Sequence, residues 1–511
     1  MSASAVDDSG VTLPKGFESL NAYAQKLAQA YHSYGYLARM HIVDFFVSKH
    51  WNSLPTEWQQ YFDKADFPIT SLIDMASKGT VASECPDSLQ EYVEQMFALQ
   101  FPREKQSDAG EQDMGDDERQ QILRYFLEGM SPKKQAEVVE LSRLINRVSM
   151  ETGSQRIVDV GAGQGYLTRV LAYGSGSSGA ELLALDHDWR QARGAEKYQE
   201  RVLKRLGGPR ARSEGYRWND SLRTRIVHDV QAISMQKTTE LESVSQKGLG
   251  GEGFVLCGLH ACGDLSSAVL KTFAEGQARA VVLVPCCYNH ISERPDTAGV
   301  LGEAQLNETG VGELPGFPLS NAFSNVVLGT NALKAACQAA PRWEHDTAGT
   351  VESFRRNYYR ALLHYLMVAR GGLPRDSAFP VVGKITNTDL DQSRRQVLEQ
   401  IDASKEDTAE IDFAVYVFAA LEKLQYKWRP SVTECMVCRR ENRHGLVQMA
   451  AVWALRSMVG SLVESIVVVD RAVYLREHCG GGAVRAFALF DPVTSPRNVV
   501  LVAQRNKDGA A

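Results

Sequence analysis

Long uninterrupted apolar runs are missing from this chain of 511 residues. The most apolar long stretch, Leu446 to Val469, is broken by Arg456 and Glu464, which argues against a membrane span. The opening MSASAVDDSG is acidic and polar, with no apolar core segment and no arginine-rich amphipathic pattern. No targeting signal is therefore expected, and the location expected is cytoplasmic or nuclear. A disulfide framework is also missing, because the nine cysteines are odd in number and irregularly spread, as in a reducing compartment. Cys435-x-x-Cys438 has no second such pair and no histidine pair at finger spacing, so it reads as two ordinary thiols. With 17 prolines and 41 glycines, neither a collagen-like nor a wholly disordered chain is expected. No internal repeat is visible, which excludes solenoids and propellers. An excess of positive charge is absent too: 56 Lys/Arg against 62 Asp/Glu leave a net charge of −6, which argues against a uniformly basic nucleic-acid binder.

What remains is globular, with 44% hydrophobic and 23% charged residues and a mean hydropathy of −0.26. The charge is uneven. Between Arg190 and Arg225 stand eleven Lys/Arg against four acids, either a solvated helix face or a patch that attracts phosphate. Residues 1–16 are expected to be disordered and 17–130 to form a helical N-terminal domain. Within it Leu20, Tyr23, Leu27 and Tyr31 recur at helical spacing. The acidic stretch Glu104 to Arg119 reads as a loop. Ser131-Pro132 is an N-cap followed by proline at the first helical position, opening an α/β domain over 131–504. Apolar runs at 156–160, 181–186, 224–228, 253–259 and 279–285 alternate with helical patterns at 164–173, 189–206 and 264–275. That alternation predicts a mostly parallel sheet. Insertions are expected near 234–252, 295–316 and 371–462, the last irregular over 371–409, and a tail over 505–511. Two late strands, 463–475 and 484–504, are expected to close the sheet as an antiparallel hairpin. The segment Phe354 to Tyr365 reads as an amphipathic helix packing aromatics on the sheet, with base stacking on Tyr358 and Tyr359 as the alternative.

The most informative stretch is Val158-Asp159-Val160-Gly161-Ala162-Gly163-Gln164-Gly165-Tyr166-Leu167. It leaves a strand, turns on three glycines and enters a helix whose free N–H groups face a ligand. The spacing is G-x-G-x-G, not the G-x-G-x-x-G of a nicotinamide site. Asp186, ending the next strand, is placed to accept two hydrogen bonds from a ribose diol, and Asp229, ending the third, to accept from an adenine amino group. Asp159 reads either as part of the cofactor site or as a carboxylate bracing the loop.

This stretch resembles motif I of class I S-adenosylmethionine-dependent methyltransferases. Gly258-Leu259-His260-Ala261-Cys262-Gly263-Asp264-Leu265 and Pro285-Cys286-Cys287-Tyr288 resemble signatures of the methyltransferase-like protein 25 family, also described as ribosomal RNA adenine dimethylase domain-containing. Supporting stretches are Ser131-Pro132-Lys133-Lys134, Gly316-Phe317-Pro318-Leu319-Ser320, Arg355-Arg356-Asn357-Tyr358-Tyr359-Arg360 and Phe490-Asp491-Pro492. The chain departs from the family at Ala136, where a histidine is common, and at Gln164, where a lysine is common. The resemblance implies a Rossmann-like sheet and S-adenosylmethionine as cofactor, held by Asp159, Gly161, Gly163, Gly165, Asp186 and Asp229.

The two family stretches follow the fourth and fifth strands, whose carboxyl ends border the acceptor position in such a fold. His260 or Asp264 could take a proton from an attacking oxygen or nitrogen. A thiolate from Cys286 or Cys287 could attack a pyrimidine ring. Cysteine and histidine together could hold Zn²⁺. Or these residues only shape the pocket. His260, Asp264, Cys286 and Cys287 are the catalytic candidates, and no metal ligands are assigned. The function expected is methyl transfer from S-adenosylmethionine with RNA as acceptor. The alternatives are a protein acceptor and a non-catalytic binding subunit.

Overall fold

The structure, a computed structural model, describes residues 5–6, 10–106, 125–174, 180–209, 212, 226–230, 238–249, 253–293 and 315–506. Contacts divide the chain into two compact units, which do not follow the boundary expected at 130. One comprises Met1–Ser33, Ala98–Cys337 and Ser461–Ala511, the other Tyr34–Phe97 and Gln338–Gly460.

The first unit is built on seven strands: β1 (Arg156–Val160), β2 (Glu181–Asp186), β3 (Ile226–Val230), β4 (Val255–Cys262), β5 (Ala280–Cys286), β6 (Val484–Ala488) and β7 (Val499–Gln504). Their spatial order is 3-2-1-4-5-7-6. Strands β1 to β5 pair in parallel, while β7 runs antiparallel to both β5 and β6. Ile157, Val158, Leu182, Leu183 and Val281 to Val284 are fully buried, as continuous apolar strands covered on both faces should be. The order reverses between β1 and β4, so a crevice opens there beyond the carboxyl ends of the strands.

Helix α1 (Pro132–Thr152) starts as expected. The Ser131 side chain accepts from the Lys134 N–H, Pro132 fills the first turn, and Gly153 ends the helix in the left-handed conformation. Helix α2 (Tyr166–Arg169) runs on into a π-helical turn, and α3 (Trp189–Leu206) is capped by Asp188. Val138 and Leu141 of α1, Leu167 of α2 and Val202 and Leu206 of α3 join one apolar cluster with Ile157 and Leu182 of the sheet. Helix α4 (Thr238–Leu249) contacts β2, and α5 (Asp264–Glu275) contacts β4 and β5.

Several expectations are corrected. The closing hairpin exists, but it is made of β6 and β7, while 463–475 is helical within Gly445–His478. Burial on every side hides the helical period, and the β-branched run Ile466 to Val469 then reads as a strand. Residues 10–16 are not disordered: Val11 and Leu13 are fully buried, and Val11 bridges Ala486. The insertion expected at 234–252 contains α4, and 371–409 contains a capped helix, Asn387–Leu398. Most of the 295–316 insertion, the acidic stretch beyond residue 106 and residues 507–511 of the tail expected over 505–511 lie outside the described residues.

The second unit is helical, with Thr56–Phe62, Ile69–Lys78, Thr347–Ala369, Thr408–Lys423 and Val432–Glu441 among its elements. The aromatics of Thr347–Ala369 pack on helices rather than on the sheet. Tyr359 meets Phe413 and Tyr416, and the buried Tyr358 hydroxyl donates to the Asn442 carbonyl. Both thiols of the CxxC are buried in Val432–Glu441, and burial pushes them up. The helix Gly445–His478, which counts with the second unit up to Gly460 and with the first from Ser461, is long and apolar enough to cross a membrane, but 89% of its most apolar window is buried in the protein. Its two interrupting charges are partnered: Arg456 donates to the Met40 carbonyl, and Glu464 pairs with Arg103 and Arg497.

Candidate active site at the carboxyl ends of the strands

The glycine turn closes β1 as the spacing implies. Gly161 and Ala162 both donate to the Leu185 carbonyl at 2.9 and 3.0 Å, which ties the turn to β2. Gly163 has φ +56°, and a Cβ added to it would meet nothing within 4 Å, so its backbone faces open space. Gly165 has φ +64°, but a Cβ there would crowd Ala195 Cβ at 3.2 Å; it serves packing of α3 rather than the ligand wall.

Asp186 stands across from the turn. Its Oδ2 accepts from the Gly163 N–H at 2.8 Å and its Oδ1 from the Asp188 N–H at 2.9 Å. A carboxylate has about four acceptor sites, so two remain for a pair of hydroxyls. Asp159 is buried beneath the turn and accepts from Thr168 Oγ1 at 2.6 Å. Burial first, and then the Asp186 charge, push its carboxyl up to about 6. Asp159 therefore braces the loop while also reaching the cavity.

That cavity has a volume of about 480 Å³ and is bounded by the glycine turn and Asp186 on one side and by Lys134, Val138, Leu259 and His260 on another. The volume lies within the usual range for a small-molecule site. Of the residues expected in the site, Asp159, Gly161, Gly163, Asp186 and His260 line it. Gly165, Asp229, Asp264, Cys286 and Cys287 do not. Asp229 pairs in register with Leu185, one residue before Asp186, at the end of the next strand out. Asp264 instead fixes the loop after β5, its Oδ1 accepting from the Ser292 N–H at 2.8 Å.

His260 occupies a bulge. In the β4–β5 register Leu259 opposes Val284 and Ala261 opposes Pro285, so His260 is the extra residue. Its φ is +63°, a strained conformation for a residue with a Cβ, with a cost of order 1–3 kcal/mol. Among the described residues four non-glycines have positive φ, and His260 and Cys287 are two of them. Strain thus gathers at the ends of β4 and β5.

The partner of His260 is Glu137 of α1, a residue the motifs did not indicate. His260 Nε2 lies 3.2 Å from Glu137 Oε2, and Ser495 Oγ donates to Glu137 Oε1 at 2.5 Å. Only 1% of Glu137 is exposed. Burial alone would raise its carboxyl, but the hydrogen bonds from His260 and Ser495 outweigh that and hold it below the usual glutamate value. With Nε2 donating to the carboxylate, Nδ1 is left as the basic atom of a neutral imidazole. A signal was available in the sequence: Glu137 precedes Leu141 by four and Leu144 by seven, which places an acid on the buried stripe of its helix.

The two cysteine-bearing stretches meet. Cys262 Sγ lies 3.1 Å from Sγ of both Cys286 and Cys287, and those two are 3.5 Å apart. The hydrogen bond with Cys286, then that with Cys287, hold the Cys262 thiol down to about 6 against partial burial. The Cys286 thiol is raised by the same hydrogen bond and by burial. Among the described residues these three form the one group of Cys, His, Asp or Glu close enough to share an ion. Tyr288 props the pair from behind, its buried hydroxyl donating to Glu464 at 3.0 Å.

On α3, Arg190, Arg193, Lys197, Arg201 and Lys204 are exposed at spacings of three and four, a stripe along one face. Its first residue, Arg190, lies in sequence between Asp188 and Gln191, both of which line the cavity. Glu196 and Glu200 interrupt it, and Arg205 is paired with Glu128. Arg210, Arg217, Arg223 and Arg225 of the basic window lie outside the described residues.

Comparison with known proteins bears on the same region. A family described as a methyltransferase domain matches residues 133–294, from the start of α1 to the loop after β5. Two relatives, each named "Probable methyltransferase-like protein 25", come from Mus musculus and Homo sapiens. They are 26% identical to this chain over 260 and 262 residues, respectively. The matched region covers 50% of this chain and 38% of each relative. Residues 133–294 thus match a methyltransferase domain and carry a Rossmann-like sheet, in a chain similar over half its length to methyltransferase-like protein 25.

Proposed function

We propose that this protein transfers a methyl group from S-adenosylmethionine to RNA, with His260 receiving the proton lost by the acceptor. The observation that carries the reading is the Glu137–His260 pair, which brings an oriented imidazole to the wall of the cavity that also holds the glycine turn and Asp186. The cofactor fits the groups present. Asp186 has acceptor sites left for ribose hydroxyls, and bare Gly163 lets a ligand approach the backbone. Asp229, one strand further out and off the cavity wall, is left without a cofactor contact in this reading.

When bound, the cofactor supplies a sulfonium methyl open to attack by an oxygen or nitrogen. Glu137 holds the imidazole in one orientation and tautomer, leaving Nδ1 to take the proton that the acceptor loses. Lys134, whose Nζ lies 4.5 Å from the Tyr166 ring centroid, adds positive charge on the cavity wall. RNA as acceptor rests on the exposed basic stripe of α3, which starts beside the cavity.

The test is incubation with labelled S-adenosylmethionine and separated RNA and protein fractions of a lysate. Label in RNA is expected, with retention of RNA that weakens as salt rises and weakens further in the triple variant Arg201→Glu/Lys204→Glu/Arg205→Glu. Label in protein instead would move the acceptor to a side chain. Cofactor binding with no label anywhere would make the chain a binding subunit.

A further inference from the structure

We propose that Cys262, Cys286 and Cys287 form a three-thiolate site for a zinc ion at the ends of β4 and β5, with the fourth position open to solvent. Two irregularities of the backbone assemble it. The bulge at His260 sets Cys262 directly opposite Cys286; in an unbulged register of the same residues His260 would oppose Pro285 and Ala261 would oppose Cys286. Adjacent residues of a regular strand point to opposite faces. Cys287, at φ +44°, breaks that alternation, and its sulfur lies with that of Cys286 beside Cys262.

The sulfur separations of 3.1, 3.1 and 3.5 Å suit a shared ion. Tetrahedral zinc with bonds of about 2.3 Å needs sulfurs about 3.7–3.8 Å apart. Each thiol would move outward by a few tenths of an ångström, within reach of a small side-chain rotation. Thiolates select soft or borderline cations over magnesium or calcium.

The supports on either side are fixed. Asp264 ties the helix after Cys262 to Ser292, and Tyr288, directly after Cys287, is anchored on Glu464. Among the described residues no fourth Cys, His, Asp or Glu joins the group, and Cys262 is exposed, so water can complete the coordination. Three protein ligands and one open position characterise zinc sites that exchange a ligand rather than purely structural ones. Binding would release the protons remaining on the three thiols.

The proposal is independent of methyl transfer, and its test counts metal rather than activity. Full-length protein purified without chelator is analysed for zinc and copper by mass spectrometry. The metal-free protein is then titrated with Co²⁺, and with Zn²⁺ in competition with a chromophoric chelator. About one zinc per chain is expected for wild type, with sulfur-to-cobalt charge-transfer bands in the near ultraviolet. Cys262→Ser should lose the bands and bind zinc at least about tenfold more weakly, while Cys435→Ser should match wild type. If Cys286→Ser does not fold by circular dichroism, Cys262→Ser, at the exposed position, decides. Wild type without zinc and without the bands, copper in place of zinc, or zinc retained at wild-type affinity by Cys262→Ser would each overturn the site.

Discussion

The two halves of the site solve the same backbone problem with different residues. At the end of β1 the left-handed positions are Gly161, Gly163 and Gly165, where φ > 0 costs little. At the ends of β4 and β5 the left-handed positions are His260 and Cys287, where a Cβ makes it costly. A glycine would relieve the strain at either place, but it would remove an imidazole from the cavity wall or a sulfur from the thiol group. Strain kept where glycine would remove it marks the side chain as the reason for the position. The β1 side needs a backbone shape; the β4–β5 side needs particular atoms.

The contrast can be broken most sharply at His260. His260→Ala should lower methyl transfer by about 10²–10⁴-fold while leaving S-adenosylmethionine affinity near wild type. Single-turnover transfer beside calorimetry separates the two, and unchanged transfer would remove His260 from the mechanism. On the other half, Asp186→Ala should weaken cofactor binding by about 1–3 kcal/mol, because a charged acceptor is lost. Calorimetry giving equal affinities would take Asp186 out of the cofactor site.

Glu137→Gln keeps the shape and removes the charge, and should cost about 1–2 kcal/mol of stability at neutral pH. The sign with pH follows from the direction of the shift. A carboxyl held below its ordinary value of 4.5 stabilises the fold fully above that value and loses the contribution as pH falls through the lower folded value. Denaturant melts of wild type and Glu137→Gln should therefore differ at pH 7 and converge in acid; a constant gap would mean the carboxylate is not held down. The smallest effect sharpens the strain argument itself. His260→Gly should be more stable than His260→Ala by about 1 kcal/mol, since only the alanine retains the left-handed penalty. Equal melting temperatures would remove strain as a marker of the position.

Legibility in the sequence followed the range of the interactions. The first two strands match their expected limits, and the third is displaced by two residues, since a buried parallel strand announces itself as a short apolar run between turns. The helix at 463–475 is hidden from a local reading because Asp470 and Arg471 are satisfied by distant groups. Asp470 accepts from the Leu319 and Ser320 N–H groups, and Arg471 donates to Ser267 and to the Gly316 carbonyl. No local pattern carries those partners. Asp264 is ambiguous for a related reason, because a carboxylate beside a strand end looks alike whether it faces a ligand or a loop N–H.

By itself the sequence determined the order of the five parallel strands, the glycine turn and the acid ending the next strand, because each rests on residues within one βα unit. The tertiary structure alone decided that Glu137 meets His260, 123 positions further along the chain, and that Cys262 joins Cys286 and Cys287. Those contacts depend on strand order, on one bulge and on where α1 packs. Sheet pairing of that kind is set by the burial of whole faces, and no local spacing encodes it.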